Sequence, residues 1–471
     1  MTVLVLVALL AAALAWWGVR RAGDANEYFA AGRRSGSWLV GLAGTAAAVS
    51  AFTFVGGPGL FAVVGVGSLW IVLSAPITGA LQCWAVGEPI VRLAREHGAL
   101  TPQEALGVRF GPGARAAAAL VTVVGCVVLG AVQAKAAAVL GETLLGVNGV
   151  MAAVVALAAT TAYTAAGGMR AGLLADAVQG AVMAGAALLL AGAALAAAGG
   201  PSAALATLES ARPELLGSFG SEPPPRALAW FILFCVGTCA QPHYLQKFFF
   251  LRSERELRAL PAVLTAALAA MLAVWLGVGL AGTALLSQGR LAITRPDELT
   301  PAVMRLLGPW AMLLAGVAVL AALMSTTASF LNLAAAALTR DLPAVLGRRP
   351  AGVTAARIAT IAVALAAVAL GVGSGRTVAL LGLAGWGFFT AALLPVFVLG
   401  LAWPGATGRG AVAAIVSGSL IDLALEARPL ELPPGLEPGL AGAAFGTIVL
   451  VFVSLVLPVP GPRSPVPGSD R

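Results

Sequence analysis

The chain has 471 residues, of which 60% are hydrophobic and 10% charged. A soluble domain averages roughly 45–50% apolar and 25% charged residues, and a soluble surface has no room for this much apolar area, so the composition excludes a soluble globule. The net charge of +8 fits the arginine-rich cytoplasmic loops of membrane proteins, and without aromatic–basic interleaving no nucleic-acid partner is expected.

A helical span needs about 20 mostly apolar residues. Such runs fall at approximately 2–19, 37–62, 66–91, 116–141, 147–167, 173–199, 227–250, 260–286, 302–338, 353–373, 377–402, 409–426 and 436–458, an expected thirteen transmembrane helices. The first run lacks a basic n-region and a small-residue cleavage site before Arg20-Arg21, so it reads as a retained helix rather than a signal peptide. The ninth is too long for one upright helix and must extend beyond the bilayer or bend. The gaps near 167–173 and 373–377 rest on glycines and single arginines. The longest polar insert, 200–226, is too short to fold by itself.

The loops alternate in charge. With the N-terminus outside, the inner loops collect twenty basic residues, among them Arg92, Lys247, Arg252 and Arg349. The outer loops receive seven, including Arg212, Arg295 and Arg376. The positive-inside rule then sets the N-terminus outside and the C-terminus in the cytoplasm.

Proline within a span removes an N–H donor and clashes with the carbonyl four residues back. Irregular backbone at membrane depth is tolerated where it lines a cavity or binds an ion. Two spans fit this description. One holds Ser50, Thr53 and the breaker Gly56-Gly57-Pro58-Gly59; the other holds Gly237, Thr238 and Gln241-Pro242-His243. Each opens a set of five spans, 37–199 and 227–402, and because five is odd the second set is inverted relative to the first. Residues 1–36 add an N-terminal helix and cytoplasmic loop, 403–458 two C-terminal helices, and 459–471 a proline-rich disordered cytoplasmic tail.

A third polar cluster lies in the ninth run, where Ser325, Thr326 and Ser329 stand within LMSTTASFLNL and Ser325 and Ser329 share a helix face. Hydroxyls and the free carbonyls of a broken helix are hard oxygen ligands suited to a small cation. Back-bonding of these hydroxyls to their own helix is the plain alternative.

Other polar residues in the spans have structural as well as functional readings. Cys83, Cys126, Cys235 and Cys239 read as small buried hydrophobes. Lys135 is the one basic residue read inside a hydrophobic run: it either snorkels to the outer interface, with Glu142 as partner, or recognises a substrate carboxylate. Glu88 and Arg92 have the spacing of a surface ion pair.

The stretches SAFTFVGGPG, AYTAAGGMRAGLLADAVQGAVM (Ala162 to Met183), AQPHYLQKFF and LMSTTASFLNLAAAALTRDL together resemble the sodium:solute symporter family, in order over roughly residues 25–425. The resemblance implies an all-α polytopic membrane protein of the leucine-transporter type, with a five-plus-five inverted repeat. It implies a sodium site built from carbonyls near Ala46 and Val49 and completed by Ala322, Ser325 and Thr326. It also links Asp176 to the passage of sodium; pairing with Arg170 is that residue's structural alternative. Proline-type members carry an aspartate where this chain has Ala48, which weakens a proline assignment. With both breaks in place, Ser50, Thr53, Gln241 and His243 would face a central cavity, and His243 has roles as donor, proton site or structural polar residue open to it.

The expected function is sodium-coupled symport of a small organic solute (a carboxylate, amino acid or pantothenate-like compound) across the cytoplasmic membrane by alternating access. The partners are thus the solute, Na+ as the co-transported ion and the lipid bilayer, with no organic cofactor and no obligate protein partner indicated. The rivals are a proton-coupled or uncoupled carrier of the same fold and a membrane solute sensor. No enzymatic activity is expected, since the spans hold no evident nucleophile–base pair or His-rich metal cluster.

Overall fold

The computed structural model describes residues 33–427 and 432–458, the side chains of residues 145, 163 and 165–171 excepted. The predicted first span, its Arg20-Arg21 loop, Arg428 and the tail 459–471 lie outside the described residues, as does the side chain of Arg170. Among the described residues nine helices are long and apolar enough to cross a membrane, and a bent helix pair can add a tenth crossing. Side chains such as Leu365, Ile448, Phe452 and Leu455 are exposed on these helices, an apolar surface that only lipid would stabilise.

The predicted broken spans are broken, each at one extended residue. Ser37–Ala48 ends at Val49, whose φ of −93° and ψ of 110° take it out of the helical ladder. The chain resumes through a π turn at Phe52–Gly56 and the helix Gly57–Val64. The break thus lies upstream of the Gly-Gly-Pro-Gly run expected to cause it. Pro58 falls just after the π turn, in a run that stays helical at Gly56 and Gly57. The second span runs as Pro224–Gly237, a single turn at Thr238–Ala240, extended Gln241 (φ −84°, ψ 106°) and Pro242–Phe248, with a bend of 48°.

Each proline frees the carbonyl four residues before it, and a distant side chain takes that carbonyl up. The Thr300 hydroxyl donates to Phe54 O at 2.7 Å, and the Gln82 amide donates to Thr238 O at 3.1 Å. A buried carbonyl without a partner costs about 1–3 kcal/mol, so these contacts make the two breaks tolerable in the membrane interior.

Two other sequence expectations resolve differently. The overlong ninth run is split at Gly308, whose φ of +99° separates Leu299–Leu307 from Pro309–Ala336. The expected gap at 167–173 is helical, inside the continuous Gly149–Ala197. Glycine costs a helix only about 1 kcal/mol relative to alanine, too little to end one that neighbouring helices support.

Gly149–Ala197 packs against Ser37–Ala48, Leu260–Ser287 and Pro309–Ala336, which places Asp176 beside the first break. The C-terminal pair Gly408–Glu426 and Pro438–Val456 leans on Val378–Leu394. At one end of the bundle Ser35 exchanges backbone hydrogen bonds with Phe250 and Arg252 (3.0 and 2.9 Å), and Arg33 donates to Ala94 O and Ala99 O. The Ser35 bonds tie the start of the first broken helix to the end of the second.

Candidate functional site

At the first break four oxygens from two helices come together. Ser325 Oγ lies 2.9 Å from Ala46 O and 3.1 Å from Ala322 O; Thr326 Oγ1 lies 2.8 Å from the same Ala322 O. All four residues are buried, as is Val49. The hydroxyls back-bond to their own helix, and Ser325 also reaches across to the broken one. The donor set is neutral, all oxygen and drawn from two elements, which suits a small hard cation.

Beside this cluster an open cavity runs between the two breaks. Ser50, Thr53 and His243 line it, as does Thr326, so the cavity touches the oxygen cluster. Its aromatic wall comes from four helices: Phe52 meets Trp275 edge-on at 5.2 Å, and Phe234 stacks on Trp386 at 4.7 Å. This mixture of aromatic faces and a few polar groups is typical of a site for a small organic molecule.

Gln241 and Lys135 are placed elsewhere. The Gln241 side chain is fully buried and donates to Gly237 O (3.1 Å) and Trp386 O (3.3 Å), holding the second break against the Val378–Leu394 helix. Neither residue lines the cavity. The partner suggested for Lys135, Glu142, instead pairs with Arg295 at 3.0 Å. Lys135 is near enough to Asp297 for its charge to act on that carboxylate. Asp297, in the loop before Leu299, accepts from Val378 N at 3.0 Å, and burial pushes its carboxyl above the usual range. The Glu88–Arg92 pair forms as spaced, at 2.6 Å.

Asp176 is paired with Lys247: Lys247 Nζ to Asp176 Oδ2 is 2.7 Å, with both side chains buried; the Arg170 side chain, its suggested partner, lies outside the described residues. Lys247, an inner-loop residue by charge count, is buried in the structure. Its true position was legible from its place four residues after His243 in the helix that Pro242 starts, which puts both on one face.

Sequence reading also passed over Gln133. Its Oε1 accepts from Ala51 N at 3.2 Å, in the unwound segment, and its side chain lines the cavity. Replacing Gln133 with leucine leaves that N–H without its acceptor and should cost about 1–3 kcal/mol. A lower Tm together with weakened solute uptake is expected. Loss of neither in the purified, reconstituted variant would show that the contact is dispensable.

With this geometry in view, the comparisons with known proteins decide the family. The sodium:solute symporter family model matches residues 28–418. The chain belongs to that family. Among its relatives, the osmoregulated proline transporter OpuE of Bacillus subtilis is 25% identical over 467 residues, covering 96% of this chain and 93% of the relative. The sodium/pantothenate symporter of Escherichia coli is 29% identical, over 84% of this chain and 83% of that protein. Among solved structures, a Na+-coupled sialic acid symporter in a substrate-bound outward-open state superimposes with a TM-score of 0.82 at 19% identity, covering 97% of both chains. That likeness establishes the fold, which is the leucine-transporter type implied by the sequence resemblance. The family and fold are those of multi-pass membrane secondary transporters.

Proposed function

We propose that this chain couples the entry of sodium to the uptake of a small organic solute across the cytoplasmic membrane. The observation that carries the reading is the cluster of Ala46 O, Ala322 O, Ser325 Oγ and Thr326 Oγ1 at the break of one helix, in contact with a cavity that ends at both breaks. Sodium at this cluster would take the place of the Ser325-to-Ala46 hydrogen bond, with the hydroxyl turning its lone pairs to the ion. Because the ion then bridges the broken helix and Pro309–Ala336, its binding favours one arrangement of those helices over another, which is the requirement for coupling.

The names of the relatives, proline and pantothenate transporters, favour an amino acid or small carboxylate as solute. Ser50, Thr53, Gln133 and His243 offer the cavity's hydrogen bonds to the polar end of such a molecule, and its aromatic wall packs the apolar part. Absence of a carboxylate at Ala48 leaves the oxygen cluster uncharged.

Uptake of labelled proline, pantothenate, acetate, pyruvate and glucose into proteoliposomes tests this reading. Accumulation of one of them under an inward sodium gradient, and not under potassium or proton gradients, is expected. Equal uptake under a proton gradient would favour the proton-coupled carrier and leave Ser325 and Thr326 as packing residues.

The orientation proposed from the loop charges is tested in intact cells. On a background without cysteine, Arg212→Cys should be labelled by an impermeant thiol reagent from outside, and Arg349→Cys only after permeabilisation. Labelling of both from one side would overturn the topology.

A further inference from the structure

The C-terminal helices Gly408–Glu426 and Pro438–Val456 are seated against Val378–Leu394 through glycines. A side chain at Gly418 or Gly442 would run into Ala391, and one at Gly439 into the backbone of Gly387. Small residues let membrane helices approach this closely. Asp422 stands one turn after Gly418 on the same face, and so inside the joint: a Cβ at Gly387 would lie 3.5 Å from Asp422 Oδ1. Gly387 follows Trp386, which with Gly382 brings Val378–Leu394 into the wall of the solute cavity. Asp422 therefore touches a helix of that wall from the side of the C-terminal pair.

The carboxyl has nothing to compensate a charge. Asp422 is 1% exposed, and neither of its carboxyl oxygens has a hydrogen-bond partner among the described residues. Val378–Leu394 and Pro438–Val456 contain no charged residue. The charged groups around the joint are engaged elsewhere. Glu426, one turn on, pairs with Arg376 at 2.7 Å, and Glu437, ahead of Pro438, faces Arg226 and Trp230. Pro112–Leu140 also packs on this helix, but its Arg115 is bound to Asp341 at 2.7 Å and its Lys135 acts on Asp297. Near the far end of Gly408–Glu426, Arg109 donates to Trp403 O at 3.1 Å. An ionised carboxylate buried without a cation or a donor is strongly unfavourable, and a protonated one is far less so.

We propose that Asp422 is a proton-binding site: it keeps its proton at neutral pH, and this proton lets the C-terminal pair close on a helix of the cavity wall. Ionisation puts an unpaired charge between bare backbones and loosens the joint until water reaches the carboxylate. Water is near, because an open cavity lined by Arg376 and Glu426 lies one turn away. The proton exchanges there and does not travel with the solute, since Asp422 does not line the solute cavity. Asp422 also lies beyond residues 28–418, the stretch that the family model matches. The inference goes beyond the symport reading and stands without it.

The test compares purified wild type with Asp422→Asn over a pH series and needs no solute. The folded wild type holds a proton that the unfolded chain releases above about pH 4. Its folding equilibrium should therefore weaken about ten-fold per pH unit relative to the variant, until Asp422 itself ionises. The wild-type Tm is expected to fall away from that of Asp422→Asn as pH rises, and parallel Tm curves would overturn the proposal. Infrared spectra read the same group directly. At neutral pH the wild-type-minus-variant difference should show the C=O stretch of a protonated carboxyl; carboxylate stretches in its place would sink the idea. At alkaline pH, amide hydrogen exchange in Pro438–Val456 should be faster in wild type than in the variant, and equal exchange would remove the joint from the proposal. Asp422→Leu carries the same comparisons should Asp422→Asn not fold. Failure of both to fold would also count against it, because an acid that is already uncharged should tolerate neutral replacements.

Discussion

Replacing Ser325 and Thr326 together with alanine should raise the sodium concentration for half-maximal uptake by at least about ten-fold, or about 1.4 kcal/mol. The two hydroxyls are half of the four clustered oxygens, and each lies within 3.1 Å of a carbonyl of that cluster. Their loss should leave the fold largely intact. Thr326 back-bonds to its own helix, and a hydrogen bond of this kind contributes about 0.5–1.5 kcal/mol net. The hydroxyls' packing positions lie inside Pro309–Ala336, where alanine is the best helix former. Sodium titration of uptake at fixed solute, alongside Tm, separates the two effects. Wild-type sodium affinity in a well-folded double variant would remove the site.

Gly57→Val is expected to have the second large effect, a drop of at least about ten-fold in uptake with a lowered Tm, since overpacking a buried contact costs about 1–3 kcal/mol. A Cβ at Gly57 would fall inside the Trp275 indole. That ring has little freedom to move: it is fully buried, donates to Ser68 Oγ at 3.2 Å and meets Phe52 edge-on. The contact presses the outgoing half of the first broken helix onto Leu260–Ser287, and both Phe52 and Trp275 line the solute cavity. Shortening the ring in the double variant Gly57→Val, Trp275→Leu should recover part of the stability. Failure of any recovery would place the effect of valine in the helix backbone rather than in this packing.

The two broken helices are also tied to their neighbours at their ends. Ser35 is hydrogen-bonded to Phe250 and Arg252 at one end, and Asp297 to the start of Val378–Leu394 elsewhere. Between them the broken helices are held by side chains from other elements: Thr300, Gln82 and Gln133 each satisfy one backbone group at a break. Alternating access requires such segments to have two discrete arrangements, and single hydrogen bonds to unwound backbone are the contacts most easily exchanged between them.

The sequence by itself determined what depends on local chemistry. Apolar runs of bilayer length declare the spans, because hydrocarbon penalises every unpaired polar group. Pro58 and Pro242 mark the two broken spans, because a proline inside a span removes a donor and frees a carbonyl, although the first break itself falls at Val49. The hydroxyls of Ser325 and Thr326 stood out as candidate cation ligands because hard oxygen donors on a span facing a broken helix have a chemistry of their own.

Only the tertiary structure decided the rest. The extended residue at the first break is Val49 and not the glycine run, because the helix unwinds where Gln133 and Ser325 can meet its backbone. The Gly-Gly stretch near 167–173 stays helical, because packing outweighs a small propensity cost. Glu142 pairs with Arg295, and Asp176 with Lys247, across 153 and 71 residues of sequence. Charge partners are set by which helices and loops pack together, and a linear reading supplies spacing along one helix but no neighbours across the bundle.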